Sequence, residues 1–347
     1  MVKTVIVNGY TLSKNETVMW SKLLNKLGMF GSYYDLAGIR KVYENGMLKN
    51  VRGVGKKTAM MLRNIFNHIE QPEHMTNEEY NKAEGVRRSD LWKISDSPEK
   101  YKYFLENPPE QTPAMAFGSA IHKLILEPDT FFDEYAVAPE INRRTNDGKA
   151  QWEKFVSDNE GKTIITADDY NTMKEMEAKL KTVPLARRLL YEDGKSEVPV
   201  FWTDPETGEK CKAKLDRLNI GADGRYYIVD YKSALSAETF RFNSEIFKLG
   251  YHVQDGMYSE GTQIAYNLDY RPVFLFVVQE KKAPYAVNVI EVTDEVADAG
   301  NAQYHLLLCK LHDCKAVDIY PGYVGDVPND SFVPGWMSSM LEEEISE

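Results

Sequence analysis

The N-terminal part of the chain carries apolar residues at helical spacing. Three segments separated by glycines show this pattern: TVMWSKLLNKLGMF, YYDLAGIRKVYENG and VGKKTAMMLRNIFNHI. They predict a small all-helical module at residues 1–75. The following polar stretch from Gln71 to Gly85 contains Pro72 and is typical of a linker, which we place at residues 76–85 before a main domain at residues 86–347.

The main domain begins with helical patterns and continues with strand patterns. Two helical patterns lie between Ser89 and Leu126 on either side of ENPPEQTPAM, and a long amphipathic one runs from Asp168 to Leu190. From Glu197 the apolar period becomes two in EVPVFW, KCKAKLDRLNI and RYYIVDYK, with the turn sequences DPETGE and GADG between them. These segments predict a meander of three strands.

A helical segment from about Phe240 to Tyr266 precedes two more predicted strands, PVFLFVVQE and YAVNVIEV. The first of these is apolar enough for a position inside a sheet rather than at its edge. The sequence therefore predicts an α/β fold, with a mixed central sheet flanked by helices and preceded by the helical module.

Charged side chains mark the ends of two neighbouring predicted strands. Asp230 and Lys232 are two residues apart, so a strand places both side chains on one face. The hairpin through GADG can bring Asp216 of the preceding strand alongside, and Glu197 can add a further carboxylate. Carboxylates that are packed together repel one another unless they share a proton or bind a hard cation with oxygen ligands.

An Asp-x-Lys pattern on a strand is most often part of a solvated face, and the spacing alone is weak support for catalysis. The apolar run YYIV before Asp230, and the second aspartate one hairpin away, strengthen the catalytic interpretation. With magnesium as Lewis acid, a nearby lysine can orient or deprotonate the attacking water and offset charge on a phosphate. That chemistry suits the hydrolysis of phosphodiesters.

The order of several motifs resembles a known family of nucleases. The segments SDLWKISDSPEKYKYFLENP, AMAFGSAIHKLILEPDTFFDEYAVAP, RRTNDGKAQWEKF, SEVPVFW, CKAKLDRL, IVDYKS, GYHVQDGMY and YPGY are similar to RecE-type phage exonucleases. These belong to the PD-(D/E)xK superfamily and are related to the nuclease domain of RecB. The resemblance spans about residues 86–336, nearly the whole main domain.

The resemblance assigns roles to individual positions. The family's metal-binding histidine, in a G-x-x-x-H pattern, matches His122, and its metal-binding aspartates match Asp216 and Asp230. Tyr231 falls among the metal-binding positions, and Lys232 matches the catalytic lysine. Taken alone, a histidine on a helix is more often a satisfied structural residue than a ligand.

Three further positions are assigned less specifically to the catalytic set. Glu197 falls where related nucleases carry an acidic residue, and Gln254 and Tyr258 match a Q-x-x-x-Y helix that follows the catalytic strands. A spacing of four places these two side chains on one helix face. They can equally be ordinary hydrogen-bonding residues where a helix meets a sheet.

Two candidate DNA-binding segments lie outside this set. Arg143 and Arg144 resemble an RRT segment of the family and would suit phosphate contacts, although a solvated basic loop is an equal alternative. LKNVRGVGKKTAMMLRNI resembles a helix-hairpin-helix motif, in which glycines and free N–H groups bind phosphate. Its DNA-binding candidates are Gly53, Gly55, Lys56 and Lys57. The same hairpin also occurs in protein–protein modules.

Composition and charge limit the remaining possibilities. A 347-residue chain with 43% hydrophobic and 27% charged residues can bury a sizeable core. The net charge of -11 argues against a protein that coats nucleic acid over its whole surface, but not against one with a local basic channel. Three cysteines are too few for a disulfide framework or a four-cysteine iron–sulfur cluster. Neither a signal peptide nor a membrane span is visible, so we expect a cytoplasmic location, in the host cell if the protein is phage-encoded.

The resemblance implies an Mg²⁺-dependent exodeoxyribonuclease, with Mn²⁺ able to substitute. Such an enzyme degrades linear double-stranded DNA from an end, 5′ to 3′, and leaves 3′ single strands for an annealing recombinase of the RecT type. Related exonucleases form closed rings, so we expect a ring-shaped homo-oligomer. The alternatives are a structure-specific endonuclease on the same core and a non-catalytic protein that binds DNA ends.

Overall fold

The structure is a computed structural model that describes residues 5–7, 10–27, 36–44, 71–109, 112–192, 194–325 and 327–331, with positions 55, 57, 58, 61, 62, 65 and 69. The helices are α1 Lys14–Lys26, α2 Leu36–Glu44, α3 Asn77–Lys82, α4 Arg88–Asp96, α5 Pro98–Glu106, α6 Pro113–Leu126, α7 Phe131–Glu134, α8 Asn146–Asp158, α9 Ala167–Thr182, α10 Pro184–Arg187, α11 Thr239–Lys248, α12 Tyr251–Tyr266 and α13 Asp294–Val317. The strands are β1 Ile6–Val7, β2 Tyr10–Thr11, β3 Tyr135–Val137, β4 Thr163–Ile165, β5 Lys195–Thr203, β6 Lys210–Ile220, β7 Tyr226–Ala234, β8 Val273–Glu280 and β9 Val287–Glu291. None of the described helices is long and apolar enough to span a bilayer.

The N-terminal region contains strands as well as helices. β1 and β2 form a short antiparallel hairpin, which the prediction of an all-helical module missed. Helix α1 begins with a capping box, in which Ser13 accepts from the backbone of Glu16 and the Glu16 side chain accepts from the backbone of Ser13. Buried side chains of the hairpin, of α1 and of the following helical residues form a core of their own, which includes Val7, Trp20 and Leu62.

The segment predicted to be a linker is packed against the sheet. It contains helix α3, and Lys212 of β6 donates to the main-chain oxygens of Tyr80 and Ala83 at 2.7 and 2.5 Å. Just before it, the Gln71 side chain both donates to and accepts from the backbone of Phe201 in β5, at 2.8 Å in each case. Because these hydrogen bonds dock the segment along β5 and β6, it is not a free connection.

The main sheet has five strands in the order β5-β6-β7-β8-β9. β5, β6 and β7 form the predicted antiparallel meander. A crossover through α11 and α12 then places β8 parallel to β7, and β9 closes the sheet antiparallel to β8. The prediction of a mixed sheet flanked by helices is confirmed.

Helices cover both faces of the sheet, and successive side chains along a strand point into two different cores. In β8, Phe274 and Phe276 pack in one core with side chains from α4, α11, α12 and α13. Leu275 and Val277 pack in the other core with side chains from α6 and α9. Every residue from Phe274 to Gln279 is buried, which agrees with the interior position predicted from the apolar run.

One predicted helix is interrupted in the structure, and one observed helix was not predicted. The helix expected from Asp168 to Leu190 is interrupted, because Pro184 has no N–H to donate to the preceding turn, and the chain continues through α10 and a π-helical turn at Arg188–Glu192. Helix α13 was not predicted, although its buried residues Ala297, Gly300, Tyr304, Leu307, Leu308, Leu311 and Cys314 recur at three- and four-residue spacing.

Candidate active site

The candidate site lies where the sheet forks between β6 and β7. The ladder joining these strands runs from the Ile220–Tyr226 pair to the Arg217–Val229 pair. Beyond that pair β7 continues from Asp230 to Ala234 in contact with β8. Asp216 and Asp230 are therefore the first residues on the two sides of the fork.

Asp230, Lys232 and Gln254 form a closed triangle of polar contacts. The Lys232 ammonium lies 2.6 Å from Asp230 Oδ2 and donates to Gln254 Oε1 at 3.2 Å. Gln254, on α12, donates from Nε2 to Asp230 Oδ1 at 2.5 Å. The spacing of two in β7 puts the aspartate and the lysine on one face, as predicted, and α12 supplies the residue that joins them.

Asp216 meets His122 on the other side of the fork. The two side chains are 3.5 Å apart, between Nδ1 of the ring and Oδ2 of the carboxylate. The backbone N–H of Tyr231 donates to the same Oδ2 at 2.9 Å. The His122 ring also packs edge-on against the Tyr231 ring, with centroids 5.1 Å apart, so the orientation of the imidazole is fixed by the core.

Glu197 lies across from Asp216 in an unusual backbone conformation. The register of β5 and β6 pairs Ser196 with Arg217 and Val198 with Leu215, which sets Glu197 opposite Asp216. Its φ is 52°, in the left-handed region that residues other than glycine rarely adopt. Strained residues of this kind persist where the surrounding structure holds them, and they cluster at functional sites.

The Glu197 carboxylate makes a close ion pair with Lys214 of β6, which also bonds to the Asn77 side chain. Both members of the ion pair are largely buried, at 18% and 17% side-chain exposure. Asn77 belongs to the segment predicted as a linker, so this segment contributes to the wall of the site.

Burial and charge shift the acid–base behaviour of the site residues. Burial, together with the charges of Asp230 and Glu197, raises the pKa of Asp216 well above its ordinary value. Burial raises the pKa of Glu197 as well. Burial, and next the positive charge of Lys232, lower the pKa of His122 to about 4, so its ring is neutral near pH 7.

The donor atoms are of the kinds that bind a divalent cation. Asp216 and the neutral imidazole of His122 lie 3.5 Å apart on one side of the fork, and Asp230 on the other side has a buried Oδ2 that accepts no hydrogen bond. Carboxylates suit magnesium and manganese, and a neutral imidazole is the form that binds metals. A cation here would favour the ionised form of Asp216, which burial and the nearby charge of Asp230 otherwise oppose.

An open cleft of about 630 Å³ gives access to His122, Glu197 and Lys232. Its walls come from α3, α6, β5 and β7, and its polar lining residues are Asn77, Ser119, His122, Lys123, Glu127, Glu134, Glu197, Lys232, Ser233 and Tyr251. Gly118 also lines the cleft, and a Cβ atom at that position would meet nothing within 4 Å. The glycine of the GSAIH segment therefore leaves space beside His122.

The other predicted site residues take different positions. The Tyr231 hydroxyl donates to Gln279 in the core at 2.8 Å, so the side chain points away from the cleft and only its backbone reaches Asp216. Tyr258 is partly buried beside the site, and burial, followed by nearby groups that include Asp230, raises its pKa well above 10.

The predicted DNA-binding residues that the structure describes, Arg143, Arg144, Gly55 and Lys57, are not part of the cleft lining. Arg143 and Arg144 are exposed in the loop before α8, where the Arg143 guanidinium lies 3.3 Å from the centroid of the Trp152 ring. Gly55 and Lys57 are exposed. Gly53 and Lys56 lie outside the described residues.

Tyr251, Arg88 and Lys214 lie at the site but were not singled out from the sequence. Tyr251 places its ring 4.6 Å from the Lys232 ammonium, and Arg88 reaches over the same ring at 5.8 Å. Tyr251 lies within the GYHVQDGMY segment, so a signal for it was present. Lys214, two residues before Asp216, gave no such signal, because its role depends on the pairing of β5 with β6.

Comparisons with known proteins agree with this architecture. Residues 88–328 match the model of a family described as a PDDEXK-like domain of unknown function (DUF3799). A crystal structure of a protein from Eubacterium rectale, named as a candidate exonuclease, shares the fold with a TM-score of 0.50 and 15% sequence identity. The similarity covers 76% of this chain and 97% of that one. A search of curated proteins found no significant match.

Proposed function

Because the chain belongs to this PDDEXK-like family, we propose that it is a divalent-metal-dependent exonuclease that degrades linear double-stranded DNA from an end. The observation that carries the proposal is the fork between β6 and β7, where Asp230 pairs with Lys232 and Asp216 meets His122, beside an open cleft that Lys232 and His122 line. The similarity to a candidate exonuclease supports the same assignment. The proposed polarity is 5′ to 3′, which leaves 3′ single strands for an annealing recombinase of the RecT type.

We assign the metal to Asp216, Asp230 and His122, with the backbone of Tyr231 holding Asp216 in place. When bound, Mg²⁺ or Mn²⁺ would polarise the phosphate and lower the pKa of a water molecule. Gln254 keeps the Asp230 carboxylate oriented by donating to Oδ1, and Oδ2 accepts no hydrogen bond. His122, neutral near pH 7, offers a ring nitrogen without a competing proton.

Lys232 acts on the phosphate and the attacking water. Its ammonium lines the cleft and is fixed by Asp230, Gln254 and the face of the Tyr251 ring. A cation fixed in this way can offset the negative charge that develops on the phosphate, and it can orient the water by hydrogen bonding. Since the fixing contacts exist without substrate, little reorganisation is needed during the reaction.

Metal removal tests the role of the carboxylates. We expect excess EDTA to stop cleavage of linear duplex DNA, and Mg²⁺ or Mn²⁺ to restore it. Ca²⁺ should support DNA binding with little hydrolysis, because its larger and more flexible coordination shell positions water and phosphate poorly. Gel assays of cleavage and anisotropy measurements of binding check both statements. Full cleavage in excess EDTA would show that the carboxylates serve another purpose.

Cleavage of linear and of closed circular DNA tests whether the protein forms a ring. A net charge of -11 makes a persistent hold on DNA by diffuse attraction difficult, so we propose a ring-shaped homo-oligomer that encloses the duplex. A ring is entered from a DNA end, so a linearised plasmid should be degraded while the covalently closed form of the same plasmid stays intact. Light scattering gives the oligomeric state. Rapid cleavage of the closed circle would instead favour an endonuclease on the same core.

The N-terminal module is proposed to add phosphate contacts. Lys57 is exposed, and Lys57→Ala should weaken DNA binding and reduce the slope of log K against log salt by about 0.9, the value for one phosphate contact. Lys41→Ala, an equally exposed change on α2, is the control and should leave the slope unchanged. Equal slopes for wild type and Lys57→Ala would assign the module to protein contacts.

A further inference from the structure

A second cluster of metal-ligating side chains lies far from the fork. Asp204 directly follows β5, Glu260 lies on α12, and His305 lies on α13. One potential ligand atom from each of these residues lies within 4.8 Å of the other two. Asp204 and Glu197 are at opposite ends of β5, about 23 Å apart at about 3.3 Å per residue, so the cluster is separate from the candidate active site.

Close helix packing brings Glu260 and His305 together. A Cβ atom at Gly256 of α12 would lie 2.6 Å from backbone atoms of Gly300 in α13, so the two helices touch through their main chains. About one turn further along each helix, His305 Nε2 and Glu260 Oε2 are 2.8 Å apart. Asn301 donates to the same carboxylate oxygen at 2.6 Å and fixes its position.

The other ring nitrogen of His305 faces acceptor atoms. Nδ1 lies 4.0 Å from Asp204 Oδ2 and 3.9 Å from Glu206 Oε2, which belongs to the loop after β5. If Nε2 donates its proton to Glu260, Nδ1 presents a lone pair to two carboxylate oxygens. Such an arrangement is repulsive unless a proton or a cation lies between these atoms.

Asp204 supplies an independent indication of a ligand. Its side chain is completely buried, and Oδ1 accepts hydrogen bonds from the loop, including the Thr207 N–H at 2.7 Å. Oδ2 is buried without a hydrogen-bond partner and faces His305. Within the described residues, no lysine or arginine comes within 4 Å of Asp204, Glu206 or Glu260. An unpaired buried carboxylate oxygen is costly and calls for a positive partner.

We propose that Asp204 Oδ2 and His305 Nδ1 bind a divalent transition-metal ion such as Zn²⁺, with Glu206 completing the set from the protein. The separations near 4 Å between His305 Nδ1 and each carboxylate oxygen leave room for an ion between them at about 2.0–2.2 Å, the usual Zn–N and Zn–O lengths. An imidazole nitrogen and carboxylate oxygens are ligands that Zn²⁺ accepts in protein sites.

Glu260 then accepts the Nε2 proton and orients the imidazole, an arrangement common around metal-bound histidines. Because the ligands come from the loop between β5 and β6 and from α13, the ion would link this loop to α13. The consequence is a protein whose stability depends on the ion, independently of the metal used for DNA cleavage.

Zinc binding and thermal stability test this site together. All measurements use the full chain carrying Asp230→Asn, which reduces metal binding at the fork. This parent protein is compared with variants that also carry Asp204→Asn, His305→Gln or Glu206→Gln. Asp204→Asn keeps an Oδ1 acceptor for the loop, and Glu206 is 73% exposed, so both variants should fold. His312→Gln is the matched control, since His312 also lies on α13 and contacts a glutamate, Glu209, at 3.1 Å.

We expect one equivalent of Zn²⁺ per chain by mass spectrometry of metals after dialysis. Zinc at about 100 times its Kd should raise Tm by roughly 5–10 °C. Asp204→Asn and His305→Gln should lose both effects, Glu206→Gln should weaken zinc affinity roughly tenfold, and His312→Gln should keep both. Equal zinc content and Tm shift in Asp204→Asn and its parent would overturn the proposal. Absence of bound zinc in the parent would also overturn it.

Discussion

Lys232→Met is expected to lower the rate of DNA cleavage by about 10²–10³-fold, the usual loss when one charge-stabilising group is removed from a reaction centre. Methionine keeps the length and apolar character of the side chain, so packing against Tyr251 is largely retained. The ammonium that contacts Asp230 and Gln254 is lost. Single-turnover cleavage of end-labelled duplex at saturating enzyme measures the chemical step without the contribution of binding.

Lys214 provides the matched control for this change. It lies on the neighbouring strand, has the same 17% side-chain exposure as Lys232 and is also paired with a carboxylate. Its partner is Glu197 rather than Asp230. Lys214→Met should therefore reduce the cleavage rate by less than about tenfold, a smaller loss than that expected for Lys232→Met. Equal losses in the two variants would mean that general charge in the cleft, rather than the position of Lys232, sustains the reaction.

Asp230→Asn is expected to reduce cleavage by about 10³-fold or more, because the contribution of a bound metal ion amounts to several kcal/mol. Asparagine has the same shape and keeps an oxygen that can accept from Gln254. It lacks the negative charge that would hold the cation and that pairs with Lys232. DNA binding should be largely retained, since the carboxylate opposes the phosphates instead of attracting them.

Asp255→Asn separates a loss of catalysis from a loss of folding. Asp255 follows Gln254 on α12, is fully buried and forms an ion pair with Arg271, away from the cleft lining. Its replacement should lower Tm, since it leaves a partly buried arginine with a weaker partner. Cleavage below Tm should continue. A comparable loss of activity in Asp255→Asn and Asp230→Asn would attribute both effects to stability.

The sequence could predict the elements of the site better than its assembly. β6 and β7 carry clear alternation, and the spacing of Asp230 and Lys232 is sufficient to place them on one face. The fork was not predictable, because it depends on where the β6–β7 ladder ends. The left-handed backbone of Glu197 was not predictable either, since it is imposed by long-range pairing rather than by local preference.

Other differences arise from packing that the local pattern does not encode. Residues around Asn77 are polar and were expected to be a linker, but the buried Lys212 ammonium needs acceptors, and the carbonyls at the end of α3 supply them. The break at Pro184, in contrast, is encoded locally, since a proline ends the preceding helix. The pairing of Gln254 with Asp230 appears only when α12 packs against the sheet.

Cleavage of end-labelled linear duplex DNA by the wild-type protein, with and without Mg²⁺, tests the central claim most directly. The account predicts short labelled products that accumulate from the DNA end only when Mg²⁺ or Mn²⁺ is present, and none with the Asp230→Asn protein. A folded wild-type protein that binds the duplex but leaves it intact at every Mg²⁺ or Mn²⁺ concentration would contradict the nuclease assignment.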